Sequence, residues 1–98
     1  MNRPLVVNPL AEDDLAEASA WYDGRQVGLG GDFLLCVREM FELILRSPEL
    51  HSKVFKDLRL AKIRRFPYAA IYRLDDDQIT VVAVYHTHRD PREWQGRR

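Results

Sequence analysis

Residues 68–86 read YAAIYRLDDDQITVVAVYH, and this stretch decides the predicted fold. Two apolar runs, Tyr68 to Leu74 and Ile79 to His86, are rich in β-branched and aromatic residues, a composition typical of strands. The acidic run Asp75 to Asp77 stands between them and suits a solvated turn, because Asp tolerates left-handed backbone conformations. Two strands joined by so short a turn are predicted to form an antiparallel hairpin.

Two further strands are predicted outside this hairpin. Leu60 to Phe66 mixes apolar and basic residues and ends at Pro67, which lacks the N–H that a sheet ladder needs. Leu5 to Val7 is a short apolar run near the start of the chain and predicts a first strand.

The buried face of the 60–66 strand stays open at the level of sequence. Leu60 and Phe66 favour one face, whereas Ala61 and Ile63 favour the other. Because side chains alternate along a strand, either Arg64 or Arg65 is expected to reach the face that the helices leave uncovered.

Two helices are predicted between the first strand and the rest of the sheet. Asn8-Pro9 is typical of a helix start, since Asn caps well and Pro fits the first helical position, and this helix should stop near Gly24. The second helix should run from Asp32 to Arg46, because Pro48 disfavours helix in the residue before it. Its apolar residues form two adjacent stripes, which predicts contact with both the sheet and the first helix: Phe33, Val37, Met40 and Ile44 in one, Leu34, Phe41 and Leu45 in the other.

The predicted element order is therefore β-α-α-β-β-β, an α+β fold with a helical hairpin packed on one face of a small, mainly antiparallel sheet. The other sheet face is expected to remain free for function. With 98 residues, the chain is expected to form one domain, residues 1–98.

Composition indicates a cytoplasmic globular protein with an uneven charge distribution. Apolar residues make up 46% and charged residues 31%, and the net charge is zero. Residues 1–50 hold four basic and nine acidic groups, whereas residues 51–98 hold eleven basic and six acidic ones. The basic second half favours an acidic partner, with a mixed solvated surface as the alternative. The single cysteine, Cys36, suits a reducing compartment, and neither a secretion signal nor a membrane span is expected.

The local motifs, taken in order, resemble those of the RelE/ParE superfamily of type II toxins. They cover roughly residues 5 to 94, and each motif is weak alone. They are ASAWY at residues 18–22, LGGDF at residues 29–33, Pro48, RFPY at residues 65–68, IYR at residues 71–73 and VVAVYHTHRDPREW at residues 81–94.

The resemblance implies a cognate antitoxin that wraps and neutralises the toxin. Such a partner needs an apolar groove or a sheet edge. Candidate contacts are Trp21 on the first helix and Leu34, Phe41 and Leu45 on the second. For Trp21 the sequence favours the alternative that its ring fills the core between helices and sheet.

The resemblance also implies one of two targets. One branch of the superfamily cleaves messenger RNA on the ribosome; the other inhibits DNA gyrase by binding, without catalytic residues. RNA cleavage needs a base, an acid and a cation for the phosphate. The candidates for these roles are Arg65, His86, His88 and Arg89. The broader set of candidate target contacts is Arg64, Arg65, Arg73, His86, His88, Arg89 and Trp94.

Three features favour the gyrase-directed alternative. The ribonuclease branch often has a basic residue early in the penultimate strand, where this chain has Tyr68-Ala69-Ala70. Its members also tend to be strongly basic, whereas this chain is neutral. Finally, the chain continues as RDPREWQGRR past the last strand, whereas an active C-terminal Tyr or His often lies near the chain end. A degenerate member that only binds antitoxin remains a third hypothesis.

Other interpretations of the C-terminal motif are structural. His86-Thr87-His88 has the spacing of a metal pair but lacks a nearby third ligand, so we expect no metal and no cofactor. Asp90 and Pro91 favour a turn followed by a short helix, after which Trp94 would fold back on the sheet. We also expect no membrane association and no sequence-specific DNA binding by this chain alone.

Overall fold

A five-stranded mixed sheet forms the centre of the protein in the computed structural model, which describes residues 3–97. Met1, Asn2 and Arg98 of the predicted 1–98 domain lie outside the described residues. The strands are β1 (Leu5–Val7), β2 (Lys53–Phe55), β3 (Leu58–Lys62), β4 (Tyr68–Leu74) and β5 (Ile79–His86). Their order across the sheet is β1-β5-β4-β3-β2, and only the β1–β5 pair is parallel.

Two long helices cover one face of the sheet, which confirms the predicted α+β fold. Helix α1 spans Pro9–Arg25, and helix α2 spans Leu29–Arg46, starting three residues earlier than predicted. They form a hairpin in which Gly30 fits closely against α1, since a Cβ there would lie 2.4 Å from the Ser19 carbonyl oxygen. The predicted apolar stripe of α2, Phe33 to Ile44, is buried in the helix-side core.

The opposite sheet face is partly covered, so the expectation that it stays free was wrong. A short helix, α3 (Arg92–Gln95), follows β5 and places the Trp94 ring on this face. Trp94 packs with Leu58, Ile71 and Val82 in a second apolar cluster and is only 3% exposed. The structural interpretation that the sequence favours, in which Trp94 folds back on the sheet after the Asp90-Pro91 turn, is the one that the structure shows.

Strand β3 is shorter than predicted, and this changes where Arg64 and Arg65 lie. The strand ends at Lys62, with Ala61 buried on the helix side and Leu60 packed against the second cluster. Arg64 and Arg65 follow in a loop, where strict alternation no longer applies. The expectation that one of them reaches the uncovered face as a strand residue was therefore wrong.

A bulge in β5 decides which face His86 occupies. Opposite the consecutive residues Ile71 and Tyr72 of β4 stand Ala83 and Val81, so Val82 is an extra residue in β5. Val82 and Ala83 both contact the second cluster, and Val84 returns to the helix side. Because a bulge shifts the alternation by one residue, His86 ends on the helix side, opposite Tyr68.

Within residues 3–97, neither long helix combines the length and apolar composition that crossing a bilayer requires.

Candidate functional site

A cavity of about 670 Å³ opens between α1 and the ends of strands β4 and β5. One wall comes from the flank of α1 and carries acidic and aromatic groups. The other comes from the loop before β4, from the two strand ends and from the turn after β5. The lining residues are Asp14, Glu17, Ala18, Trp21 and Tyr22 on α1, and Pro67, Tyr68, Val84, His86, His88 and Arg89 opposite.

The turn after β5 brings three predicted site residues, His86, His88 and Arg89, to this cavity. The His86 carbonyl oxygen accepts a hydrogen bond from the Arg89 N–H at 3.0 Å. Thr87 binds the neighbouring loop, with its N–H 2.8 Å from the Pro67 carbonyl oxygen. The His88 N–H lies 3.1 Å from His86 Nδ1, and the two imidazole rings are 5.1 Å apart.

The titratable groups of the cavity are kept largely neutral on its inner side. Burial, followed by the charges of His88 and Arg89, lowers the pKa of His86. Burial raises the pKa of the Tyr68 hydroxyl, with Arg89 opposing that shift. Burial likewise raises the pKa of Tyr22. At neutral pH the inner surface therefore presents phenol and imidazole groups, and the exposed Arg89 supplies a fixed positive charge.

Asp14 occupies the acidic wall and also closes an edge of the sheet. Strand β1 pairs only with Ile79 to Val81, so the rest of the outer edge of β5 has no strand beside it. There the Asp14 carboxylate accepts a hydrogen bond from the Val84 N–H at 3.0 Å. Arg97 binds the same carboxylate at 2.7 Å and the Val82 carbonyl oxygen at 3.2 Å. Side chains thus satisfy backbone groups that would otherwise attract another strand.

The remaining predicted target contacts lie away from the cavity. Arg64 binds the two Glu39 carboxylate oxygens on α2 at 3.1 and 3.0 Å. Arg73 binds Asp75 at 2.8 Å at the opposite end of the β4–β5 hairpin.

Arg65 and Trp94 also lie outside the cavity lining. Arg65 has a φ of 75° and places its guanidinium over the Phe66 ring at 5.4 Å. Trp94 is buried in the second cluster, so its ring is a structural element and not an exposed contact. The broad set of candidate target contacts is therefore not one surface. Three of its seven members, at the end of β5 and in the turn after it, line the cavity.

The four candidate antitoxin contacts divide between two surfaces. Trp21 is 54% exposed, so the favoured interpretation of this ring as core was wrong. It lies on the cavity flank of α1, whereas Asp23, about 200° further round the helix, faces α2 and binds the Gly30 N–H at 2.7 Å. Leu34 and Leu45 are 42% and 38% exposed along α2, and Phe41 between them is half-buried.

Sequence reasoning missed Asp14, Glu17, Tyr22 and Tyr68 as parts of the site. The sequence did contain a signal for Asp14 and Glu17. Leu10, Asp14, Glu17 and Trp21 are spaced by four, three and four residues, which places them on one helix flank. Two acidic groups between two large apolar ones on a flank that the core does not use indicate a contact surface.

Among residues 3–97, no group of three or more His, Cys, Asp and Glu side chains is arranged to hold a metal ion. The cavity instead combines an exposed indole, a guanidinium, two imidazoles and two carboxylates. Such a set can bind charged and aromatic groups of a partner through hydrogen bonds, ion pairs and stacking.

Comparison with known proteins assigns this architecture to a class. The family model described as ParE toxin of type II toxin-antitoxin system, parDE, matches residues 5–91. The chain belongs to this family of toxins.

Individual relatives agree with the family. The chain is 33% identical over 92 residues to Toxin ParE2 of Mycobacterium tuberculosis, in both strain CDC 1551 / Oshkosh and strain ATCC 25618 / H37Rv. Each alignment covers 93% of this chain and 88% of the relative. A solved structure described as the chromosomal ParDE TA system from P. aeruginosa superposes with a TM-score of 0.77. It is 15% identical and covers 88% of this chain and 97% of its own, which supports the fold.

Proposed function

We propose that this toxin acts in the cytoplasm by binding DNA gyrase through the cavity beside α1, and that a cognate antitoxin neutralises it. The observation that carries the proposal is the composition of the cavity, in which the carboxylates of Asp14 and Glu17 face His86, His88 and Arg89. Carboxylates beside cations weaken a site for RNA phosphate, because they repel the charge that the cations attract. The same mixture suits a protein surface that carries both signs of charge.

The positions of the other cations support binding over RNA cleavage. Arg64 is held by Glu39 and Arg73 by Asp75, so neither is placed beside His86 or His88. A phosphoryl-transfer site needs its cations to converge on one phosphate. Arg89 is the one arginine that lines the cavity among residues 3–97.

The proposed target contacts are Trp21, His88 and Arg89. An exposed Trp and Arg within one cavity are the residue types that most often dominate a protein interface. For the antitoxin we propose the exposed part of α2, where Leu34, Phe41 and Leu45 offer an apolar stripe to a helix or an extended tail. The description of the P. aeruginosa structure as a ParDE toxin–antitoxin system supports such a partner.

Supercoiling of relaxed plasmid by purified gyrase tests the target. We expect the toxin to inhibit supercoiling, and Arg89→Ala to need roughly tenfold more protein for the same effect, as for the loss of one charge-assisted contact. Arg92→Ala is the matched control, because Arg92 is exposed close by, pairs with Asp90 and does not line the cavity. Normal supercoiling at saturating toxin would refute gyrase as the target.

A translating extract tests the alternative, a ribosome-dependent ribonuclease. The convergence of His86, His88 and Arg89 at the cavity supports this alternative, since imidazoles serve as acid and base near neutral pH. Messenger RNA that the parent toxin cleaves and that stays intact with His88→Ala would establish the ribonuclease. Intact messenger together with normal supercoiling and retained antitoxin binding would instead indicate a non-toxic family member.

A further inference from the structure

His86 holds the turn after β5 with both of its acceptor groups. Its carbonyl oxygen binds the Arg89 N–H, and its imidazole Nδ1 binds the His88 N–H at 3.1 Å. A side chain that accepts a hydrogen bond from the N–H two residues later closes a local ring, as Asp and Asn do in Asx turns. In this turn the imidazole of His86 takes the place of the Asp or Asn oxygen.

This geometry fixes the protonation state of the ring. A ring nitrogen that accepts a hydrogen bond from a backbone N–H carries no proton. Acceptance of this bond requires a neutral His86 ring with its proton on Nε2, because Nδ1 is committed to the turn. Protonation of Nδ1 would place two N–H groups against each other and remove one of the bonds that orient His88 and Arg89.

Charged and titratable groups surround this imidazole on three sides. On its own segment stand His88 and Arg89, both of which lower the pKa of His86. From β4, the Tyr68 ring lies 5.2 Å away. From α1, Asp14, Glu17 and Tyr22 line the same cavity. Asp14 is paired with Arg97, and burial together with His88 and Arg89 lowers the pKa of the His86 imidazole.

We propose that His86 is a positioning residue for the target-binding cavity. As a neutral imidazole protonated at Nε2, it fixes the turn that presents His88 and Arg89, and its protonation releases that turn. The toxin then binds its target less well at acidic pH than at neutral pH. This inference rests on the proposed function for its effect on binding, but the state of the turn is a property of the isolated protein.

Nuclear magnetic resonance of the uniformly ¹⁵N-labelled toxin tests the turn without any target. We expect imidazole ¹⁵N shifts of the Nε2–H tautomer for His86 at neutral pH. The His88 amide signal should move with the titration of His86 as the pH falls below about 6.5, the ordinary value for His. A Nδ1–H tautomer, or a His88 amide that does not respond to that titration, would overturn the proposal.

Two substitutions separate positioning from simple packing. His86→Asn keeps an acceptor for the His88 N–H but does not titrate, because an Asn oxygen can close the same local ring. His86→Leu keeps apolar volume and removes the acceptor. In the gyrase assay at neutral pH we expect His86→Asn to stay within about twofold of the parent and His86→Leu to be roughly fivefold to tenfold weaker.

The pH profile completes the test. Inhibition by the parent toxin should weaken as the pH falls below about 6.5, and the profile of His86→Asn should be flatter. Equal activity of His86→Asn and His86→Leu, or an unchanged profile in His86→Asn, would contradict the proposed role. If the parent does not inhibit gyrase at all, the proposed function fails, whereas the resonance experiment still decides the state of His86.

Discussion

The two ends of the β4–β5 hairpin differ in how their arginines are bound. At the end that holds the turn between β4 and β5, here called the turn end, Arg73 is bound by Asp75. At the opposite end, here called the cavity end, Arg89 and two histidines line a cavity. At the turn end, Arg73 lies 2.8 Å from Asp75, and Thr80 donates to the same carboxylate at 3.0 Å. Gln78 completes the set with a 2.9 Å bond to Thr80. The polar groups of this end bind one another within residues 73–80, which cover the end of β4, the turn and the start of β5.

The cavity end uses similar residue types with a different result. Thr87 and the His86 backbone hold the turn, while Arg89 is exposed and borders the cavity with Trp21. The comparison teaches that a basic half-chain does not identify a binding surface by its charge alone. Arg73 is bound by the nearby carboxylate of Asp75, whereas Asp90, the carboxylate next to Arg89 in the chain, binds Arg92 instead.

Removing the Trp94 ring, which holds the chain after the cavity end onto the sheet, should have the largest effect on stability. Trp94 holds the segment after the turn onto the sheet and packs against Tyr85, with ring centroids 5.6 Å apart. Trp94→Ala should lower the free energy of unfolding by about 3–5 kcal/mol, the usual cost of deleting a buried aromatic ring. Urea denaturation measures this loss. Trp21→Ala serves as the matched control, because its ring is 54% exposed and should cost far less stability. Equal losses for the two variants would show that α3 is not a structural anchor.

Removing the exposed ring of the cavity end should instead affect binding. Trp21→Ala is expected to weaken gyrase inhibition roughly thirtyfold, which corresponds to about 2 kcal/mol for an interface anchor. Leu35→Ala is the control, since Leu35 is 58% exposed on α2 and does not border the cavity. If Leu35→Ala and Trp21→Ala were equally active in the supercoiling assay, the cavity would not be the contact surface.

Much of the fold could be predicted because its signals are local. Tyr68–Leu74 and Ile79–His86 were predicted with the bounds that the structure shows, since the apolar runs, the β-branched residues and the acidic turn all lie within the segment itself. Strand β2 was missed because Lys53–Phe55 is only three residues long and is defined by its pairing with β3. Composition alone does not encode that pairing.

The site was harder to predict because it depends on long-range geometry. The bulge at Val82 shifts His86 to the helix side, and nothing in ITVVAVYH marks the extra residue. The ion pair between Asp14 and Arg97 joins residues 83 positions apart. By contrast, the sequence held an unused signal for the exposure of Trp21, whose ring we expected in the core. Leu10, Asp14, Glu17 and Trp21 share a flank opposite the one that contacts α2.

Neutralising the carboxylate of the turn end should have a moderate effect that is confined to stability. Asp75→Asn removes the charge that binds Arg73 and should cost about 1 kcal/mol, as for one partly buried charge-assisted bond. Gyrase inhibition should not change, because the turn lies at the far end of the hairpin. Asp77→Asn is the control, since Asp77 is exposed in the same turn. A loss of inhibition in Asp75→Asn would mean that the two ends are coupled.

The smallest expected effects are two separate pH dependences of stability. Hydrogen bonds from Arg73, and then from Thr80, hold the pKa of Asp75 below its ordinary value. The stability that this carboxylate supplies is present above the unfolded value of about 3.9 and is lost as the pH falls below it.

At the cavity end the window is different. Burial, with His88 and Arg89, lowers the pKa of His86 in the folded protein. Below about pH 6.5 the unfolded chain therefore binds a proton at this residue more readily than the folded protein does. Stability should therefore decline already between about pH 7 and about pH 5.5, with a parallel contribution from His51, whose pKa burial also lowers. Urea denaturation across the pH range separates the windows. His86→Asn should flatten only the upper part of the profile and Asp75→Asn only the lower part. If each variant flattened both the upper and the lower part of the stability profile, the two ends of the hairpin would not titrate independently. The proposed difference between the turn end and the cavity end would then be wrong.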